Sequence, residues 1–278
     1  MRWFWLFVCM LVAACGKAPN TGERDGVRVA TTSPAVGVML RDFGAAHLAV
    51  GRSGYDVALD PALPVIGDAA GLDLERLGTL GATHVFVETG NSAPPAGLEA
   101  MARRVGFEVA CFELTNLRQL VDLAERVHGV VSTETDAGTS PRERFAQALA
   151  HDASLAGAGR VLLLMPGTPP AALGPGSVHH DVLVSMGGVP AIETGRPYMP
   201  LDAEDLLALS PDAVVLLVPG DDRPLEALLG RLASLPVPAF ADGRVALLRD
   251  PEVLMASTST IRYADDLRGW LEAWARGR

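Results

Sequence analysis

The side chains able to do chemistry in this 278-residue chain are few and scattered. Its six histidines are His47, His84, His128, His151, His179 and His180. A zinc or manganese site built from some of them is one reading, and surface or capping histidines are the other. His179 and His180 fall in a predicted helix, where successive side chains point about 100° apart, so the two do not easily serve one ion. Asp221 and Asp222, in the turn PGDD after a strand, fit a turn that leads into a helix N-terminus. The sequence has no G-x-S-x-G elbow, no G-x-x-x-x-G-K-[ST] phosphate loop, no H-E-x-x-H and no C-x-x-C. Catalysis is therefore not expected.

Two carboxylates are more informative. Residues 72–87 (LDLERLGTLGATHVFV) align with the stretch from residue 201 (LDAEDLLALSPDAVVL) at a shift of 129 positions, 204 minus 75. The shift matches Asp73 with Asp202, Glu75 with Glu204, Leu77 with Leu206 and Val85 with Val214. Each copy reads as a short helix followed by a buried strand, and a long period seen only twice points to two similar lobes. Both glutamates sit in a first helical turn, two residues after an Asp that can cap it. They are either carboxylates that favour the helix dipole or a symmetric pair facing a partner with two basic sites.

The elements around these residues alternate. Val27–Ala30 is a strand, and Ser33 followed by Pro34 opens a helix to about Phe43. A strand from His47 to Val50 ends in the loop GRSGYD; helix 95–104 and strand 107–112 come after the first copy. Residues 116–157 show helical spacing and no strand, with Ser140 and Pro141 opening a second helix that could serve as a stiff strut. Strand 160–165, the Gly/Pro loop PGTPPAALGPGS, helix 178–186, the second copy, helix 223–233, strand 244–248 and a terminal helix from about Thr260 complete the chain. Strands alternating with helices predict an α/β fold of two Rossmann-like lobes with parallel central sheets, joined by a long rigid helix. The predicted segments are a leader at 1–15, a tether at 16–26, an N-terminal lobe at 27–115, a helical linker at 116–157 and a C-terminal lobe at 158–278.

In open α/β sheets, ligands bind beyond the carboxyl ends of strands. Those ends place Tyr55, Met165 and Arg249 at a candidate site, with Tyr55 and Tyr198 as exposed aromatics in Gly/Pro-rich loops. The composition, 23 basic against 33 acidic residues with a formal charge of −10, argues against a nucleic-acid surface. Arg2, the apolar run WFWLFVCMLVA at 3–13 and the small residues before Cys15 read as an export signal ending in a motif that resembles the lipobox of bacterial lipoproteins. That resemblance implies cleavage before Cys15 and acylation of its sulfur. Cys111 then remains alone in the apolar run FEVACF, read as a buried small hydrophobe.

The segments VRVATTSPAVGVML, HLAVGRSGYD and GLDLERLGTLGATHVFV, with GPGSVHHDVLVSMGGVPAI and YMPLDAEDLLALSPDAVVLL, together resemble periplasmic solute-binding proteins of the cobalamin, haem and siderophore type. The resemblance runs co-linearly over about 27–275. It implies a cleft between two lobes, little closure on binding, no cofactor beyond the bound metal chelate, and delivery to the membrane permease of an ABC importer by a lipid-anchored monomer. It further implies that Glu75 and Glu204 pair with permease arginines, that Tyr198 lies against a ligand, and that Tyr55 falls in a loop where some haem binders have a ligating tyrosine. Asp68, with alanines beside it, stands where cobalamin binders tend to carry aromatics. Arg52 and Arg249 are the obvious cations for an anionic chelate. The alternatives are a binding protein for a free divalent metal or an oxyanion, and an exported two-lobe enzyme.

Overall fold

The computed structural model describes residues 26–68, 70–90, 92–132 and 138–277. Its first sheet contains β1 (Val29–Thr31), β2 (Ala49–Ser53), β3 (Val65–Asp68), β4 (Gly71–Leu72), β5 (His84–Glu88) and β6 (Glu108–Phe112), ordered β4-β3-β2-β1-β5-β6. All neighbours are parallel except β4, which runs against β3. Helices α1 (Pro34–Asp42), α2 (Leu74–Leu77) and α3 (Leu98–Val105) make the crossovers. The second strand begins later than the sequence pattern suggests: His47 lies in a 3-10 turn at Ala46–Leu48, and β2 takes in Gly51, Arg52 and Ser53.

The chain then forms α4 (Leu117–Val131) and α5 (Pro141–Ala148). Asn116 caps α4 by accepting from the Gln119 amide at 3.0 Å, and Leu120, Leu123, Ala124 and Val127 make its buried stripe at i, i+3, i+4 and i+7. Ser140 and Glu143 close a reciprocal capping box on α5, with Pro141 in its first turn. The strut is expected of the second helix, but α5 stops after 8 residues and the longer of the two is α4, at 15.

The second sheet contains β7 (Arg160–Met165), β8 (Ala171–Leu173), β9 (Val189–Pro190), β10 (Tyr198–Pro200), β11 (Ala213–Leu217) and β12 (Val245–Leu248), with α6 (Val178–Ser185), α7 (Ala203–Leu209), α8 (Leu225–Leu229), α9 (Pro238–Ala241) and α10 (Thr260–Arg276) around it. The order is β10-β8-β7-β11-β12, and β9 also pairs with β7. β8 is antiparallel to both neighbours, so β10 runs in the same direction as β7.

Side-chain alternation along the central strands decides the packing. Leu162, Leu164, Val214 and Leu216 enter a core under α7, α8 and α9. Their neighbours Val161, Leu163, Val215 and Leu217 point the other way, into a core shared with Val29 and Phe86 of the first sheet. Helices α1, α4, α6 and α10 contribute Met39, Leu123, Val182 and Leu267 to that same core. The opposite face of the first sheet packs Ala30, Val85 and Val87 against Leu77 of α2 and Leu98 of α3. One apolar core thus continues from lobe to lobe. No helix among the described residues is long and apolar enough to cross a membrane.

Candidate functional site

The carboxyl ends of β1 and β5 meet in a buried polar floor. Ser33 stands at the N-cap of α1 without capping it; its hydroxyl instead donates to Glu88 Oε2 at 2.6 Å. The Glu88 amide donates to Thr32 Oγ1 at 3.1 Å, and Thr31, Thr32 and Ser33 are all buried. Beside this floor, Asp68 lines a hollow of about 210 Å³ together with Gly71, Glu88, Thr89 and Ser92. Its carboxylate accepts from the Ala70 amide at 2.8 Å. A larger hollow of about 510 Å³, between the β5–β6 ends and α4, is lined by Thr89, Cys111, Glu113, Gln119, Asp122 and Arg126. Cys111 is half-buried; desolvation, then the charge of Glu99, pushes its thiol up from the ordinary value. A third hollow of about 530 Å³ runs along α4, α5 and α6 over Val121, Phe145, Leu149 and Val184.

Tyr55 follows β2 in an exposed turn. Tyr198, expected in a loop, is in the edge strand β10, opposite Leu173. The row Met165–Ala171–Pro200 marks the carboxyl edge of that sheet, so Tyr198 stands two residues back from it. Arg249, just after β12, donates to the carbonyls of Asp221 and Arg223. Arg223 in turn pairs with Asp221 at 2.6 Å, which fastens the PGDD turn. Arg52 likewise donates to the carbonyls of Ser53 and Pro61, both at 3.0 Å. Both cations considered for an anionic chelate are therefore engaged by their own loops. No hydrogen bond or ion pair among the described residues joins Tyr55 or Asp68 to Met165, Tyr198 or Arg249.

Glu75 and Glu204 are exposed in first turns, as the twin stretch predicts. Asp73 caps α2 through the Arg76 amide, and Asp202 caps α7 through the amides of Glu204 and Asp205. The copies diverge before their helices: β4 runs against its sheet and β10 runs with its own. Cys15 lies outside the described residues.

The histidines do not converge. His179 and His180 are buried and not on the surface, because each ring bonds a different backbone carbonyl: Val253 at 2.7 Å and Ile192 at 3.1 Å. Among the described residues, no group of three or more His, Cys, Asp or Glu is placed to hold a metal ion.

Sequence reasoning missed a cluster that ties the lobes together. Arg41, at the end of α1, grips Glu252 with both guanidinium nitrogens and pairs with Asp42 at 2.8 Å. Arg262 of α10 meets Glu252 at 2.7 Å and Asp250 at 3.0 Å, while Thr258 donates to Asp42 at 2.6 Å. Arg41 hydrogen bonding, against the opposing effect of burial and with help from Arg262, holds Glu252 below the usual carboxylate range. The partners are more than 200 residues apart in sequence, and nothing local signals their meeting.

No protein-family model matches the chain, and no curated protein matches it. Solved structures do. The periplasmic heme-binding protein BhuT in complex with two hemes superposes with a TM-score of 0.67 at 23% identity, over 90% of this chain and 100% of that one. The periplasmic vitamin B12 binding protein BtuF of Vibrio cholerae gives 0.66 at 19%, over 90% and 98%. The siderophore binding protein BauB, bound to a complex of two acinetobactin molecules and ferric iron, gives 0.66 at 13%, over 88% and 92%. The chain has the two-lobe fold of these periplasmic binding proteins.

Proposed function

We propose that this chain is an exported binding protein that captures a metal chelate (a corrinoid, haem or a ferric siderophore) and hands it to the permease of an ABC importer. The observation that carries the reading is the fold: nearly the whole described chain superposes on a heme-binding protein, a vitamin B12 binding protein and a siderophore binding protein. The polar floor at Ser33 and Glu88, the hollow at Asp68 and the exposed Tyr55 all lie at strand carboxyl ends, where such sheets take ligands. Within this reading Tyr55, Asp68, Met165, Tyr198 and Arg249 contact the cargo. Arg249 does so as part of a fastened loop and not as a free charge. The protein acts by binding and not by catalysis. Acylation at Cys15 keeps it at the membrane, and it works as a monomer. Glu75 and Glu204 present one exposed carboxylate per lobe to basic residues of the permease, which speeds encounter and fixes orientation more than it adds affinity. Titration of the purified protein with haemin, cyanocobalamin and a ferric catecholate, followed by absorbance, tests the cargo class. Saturable binding of one of them is expected, and absence of binding across all three refutes it.

A further inference from the structure

Among the described residues, the two most exposed large apolar side chains are neighbours: Tyr55 at 73% and Val57 at 67%. An exposed aromatic on a slack loop loses much of its binding energy when the loop is ordered. This loop is not slack. Between Tyr55 and Val57, Asp56 accepts the amides of Ala58 and Leu59 through Oδ1, at 2.9 and 2.7 Å. The Asp56 amide donates to the Ser53 carbonyl, and the Tyr55 amide to the Ser53 hydroxyl, both at 3.3 Å. Arg52 clasps the two ends of the turn through Ser53 and Pro61. Leu59 is buried in the shared core and anchors the far side.

The other carboxylate oxygen, Asp56 Oδ2, is buried with no hydrogen-bond partner among the described protein groups, and such a group calls for an explanation. It lies against α1 at Gly37. A Cβ on Gly37 would fall 1.8 Å from Oδ2 and 2.8 Å from Cγ, and its three nearest atoms all belong to Asp56. Gly37 is an ordinary helical residue whose φ does not require glycine. Its missing side chain is the space in which the Asp56 carboxylate sits.

We infer that Asp56 and Gly37 are positioning residues: the helix notch at Gly37 seats the Asp56 carboxylate, which holds Tyr55 and Val57 outward as a preformed apolar contact for the face of the bound chelate. The inference rests on the proposed function and adds a device that the fold likeness does not supply.

A suppressor experiment tests it in the full chain, solubilised in detergent, with haemin, cyanocobalamin and a ferric catecholate as probes. Gly37→Ala fills the notch and improves helix propensity, so the helix is retained while the loop is displaced. Affinity for the bound probe is expected to fall about tenfold, mainly through faster dissociation, as it does in Tyr55→Ala. Amide exchange at Ala58 and Leu59 rises in the same variant. Asp56→Ser keeps a short acceptor for those amides and removes the clashing oxygen, so Gly37→Ala/Asp56→Ser recovers both affinity and amide protection. Three results overturn the inference while leaving the proposed function standing: a Gly37→Ala protein that binds as tightly as the parent, a double variant no better than Gly37→Ala, or a Tyr55→Ala protein of unchanged affinity. A parent protein that binds none of the three probes overturns both.

Discussion

Replacing Glu252 by Gln removes one negative charge from the centre of the inter-lobe ion cluster while keeping the side chain's shape. The Glu252 side chain is only 9% exposed and receives three guanidinium contacts, two from Arg41 and one from Arg262. A hydrogen bond to a charged group contributes about 1.5–3 kcal/mol. Gln retains one acceptor oxygen, and each arginine keeps a second carboxylate, Asp42 or Asp250. Arg41 and Arg262 are also 35% and 47% exposed, so water recovers part of the loss. With those offsets the expected net cost is about 2 kcal/mol. In a chain of this size that lowers the melting temperature by roughly 4–8 °C. Calorimetry at pH 7 of parent and variant measures it. Glu252 is held below its ordinary value near 4.5, so its stabilisation is complete above that pH and disappears as pH falls through the lowered value. The gap between parent and variant therefore closes in strong acid. A variant that melts within a degree of the parent at pH 7 refutes the assignment of this cluster as a stabilising inter-lobe tie.

Burial, opposed by the bond to the Val253 carbonyl, holds His179 below its ordinary 6.5, so the folded protein keeps it neutral while the unfolded chain protonates it. Stability should fall as pH drops below about 6.5, and His179→Gln, which retains a donor for Val253, should flatten that slope in urea titrations; an unchanged slope refutes it. Glu75→Arg with Glu204→Arg should lower the melting temperature by only a few degrees, about 0.3–1 kcal/mol for each first-turn charge reversed at an exposed helix end, while abolishing chelate uptake in cells; uptake that persists places docking elsewhere. Cys15→Ser should move the protein from the membrane fraction to the soluble one, and continued retention refutes acylation there.

Much of the fold was legible because long apolar strands carry their own signal. Residues 160–165 and 213–218 read as strands, and Arg160–Met165 and Ala213–Leu217 are strands, the first buried through its middle and the second throughout. The twin LDLE and LDAE stretches read as capped helix starts, and their Asp caps form as expected. Short elements hidden among turn residues were not legible. β8 is three residues, Ala171–Leu173, set between Pro170 and Gly174, and only its antiparallel pairing with β7 and β10 makes it a strand. Tyr198 was misplaced for the same reason. Ser33 followed by Pro34 has the chemistry of a helix cap, yet a carboxylate 55 residues away competes for its hydroxyl and wins. Arg249 looked like a free cation because sequence cannot show which carbonyls fold back onto it. Of the candidate site, strand-end logic found the edges, and side-chain partners were beyond its reach.

The continuous core has a consequence for how the protein fails. Leu163, Val215 and Leu267 from one half belong to one core with Val29, Met39 and Phe86 from the other, so each half relies on the other to cover one face of its sheet. Loosening either half exposes the apolar face of its neighbour. Loss of order should therefore spread through the whole chain as one cooperative event, with no long-lived species in which one half is intact and the other melted.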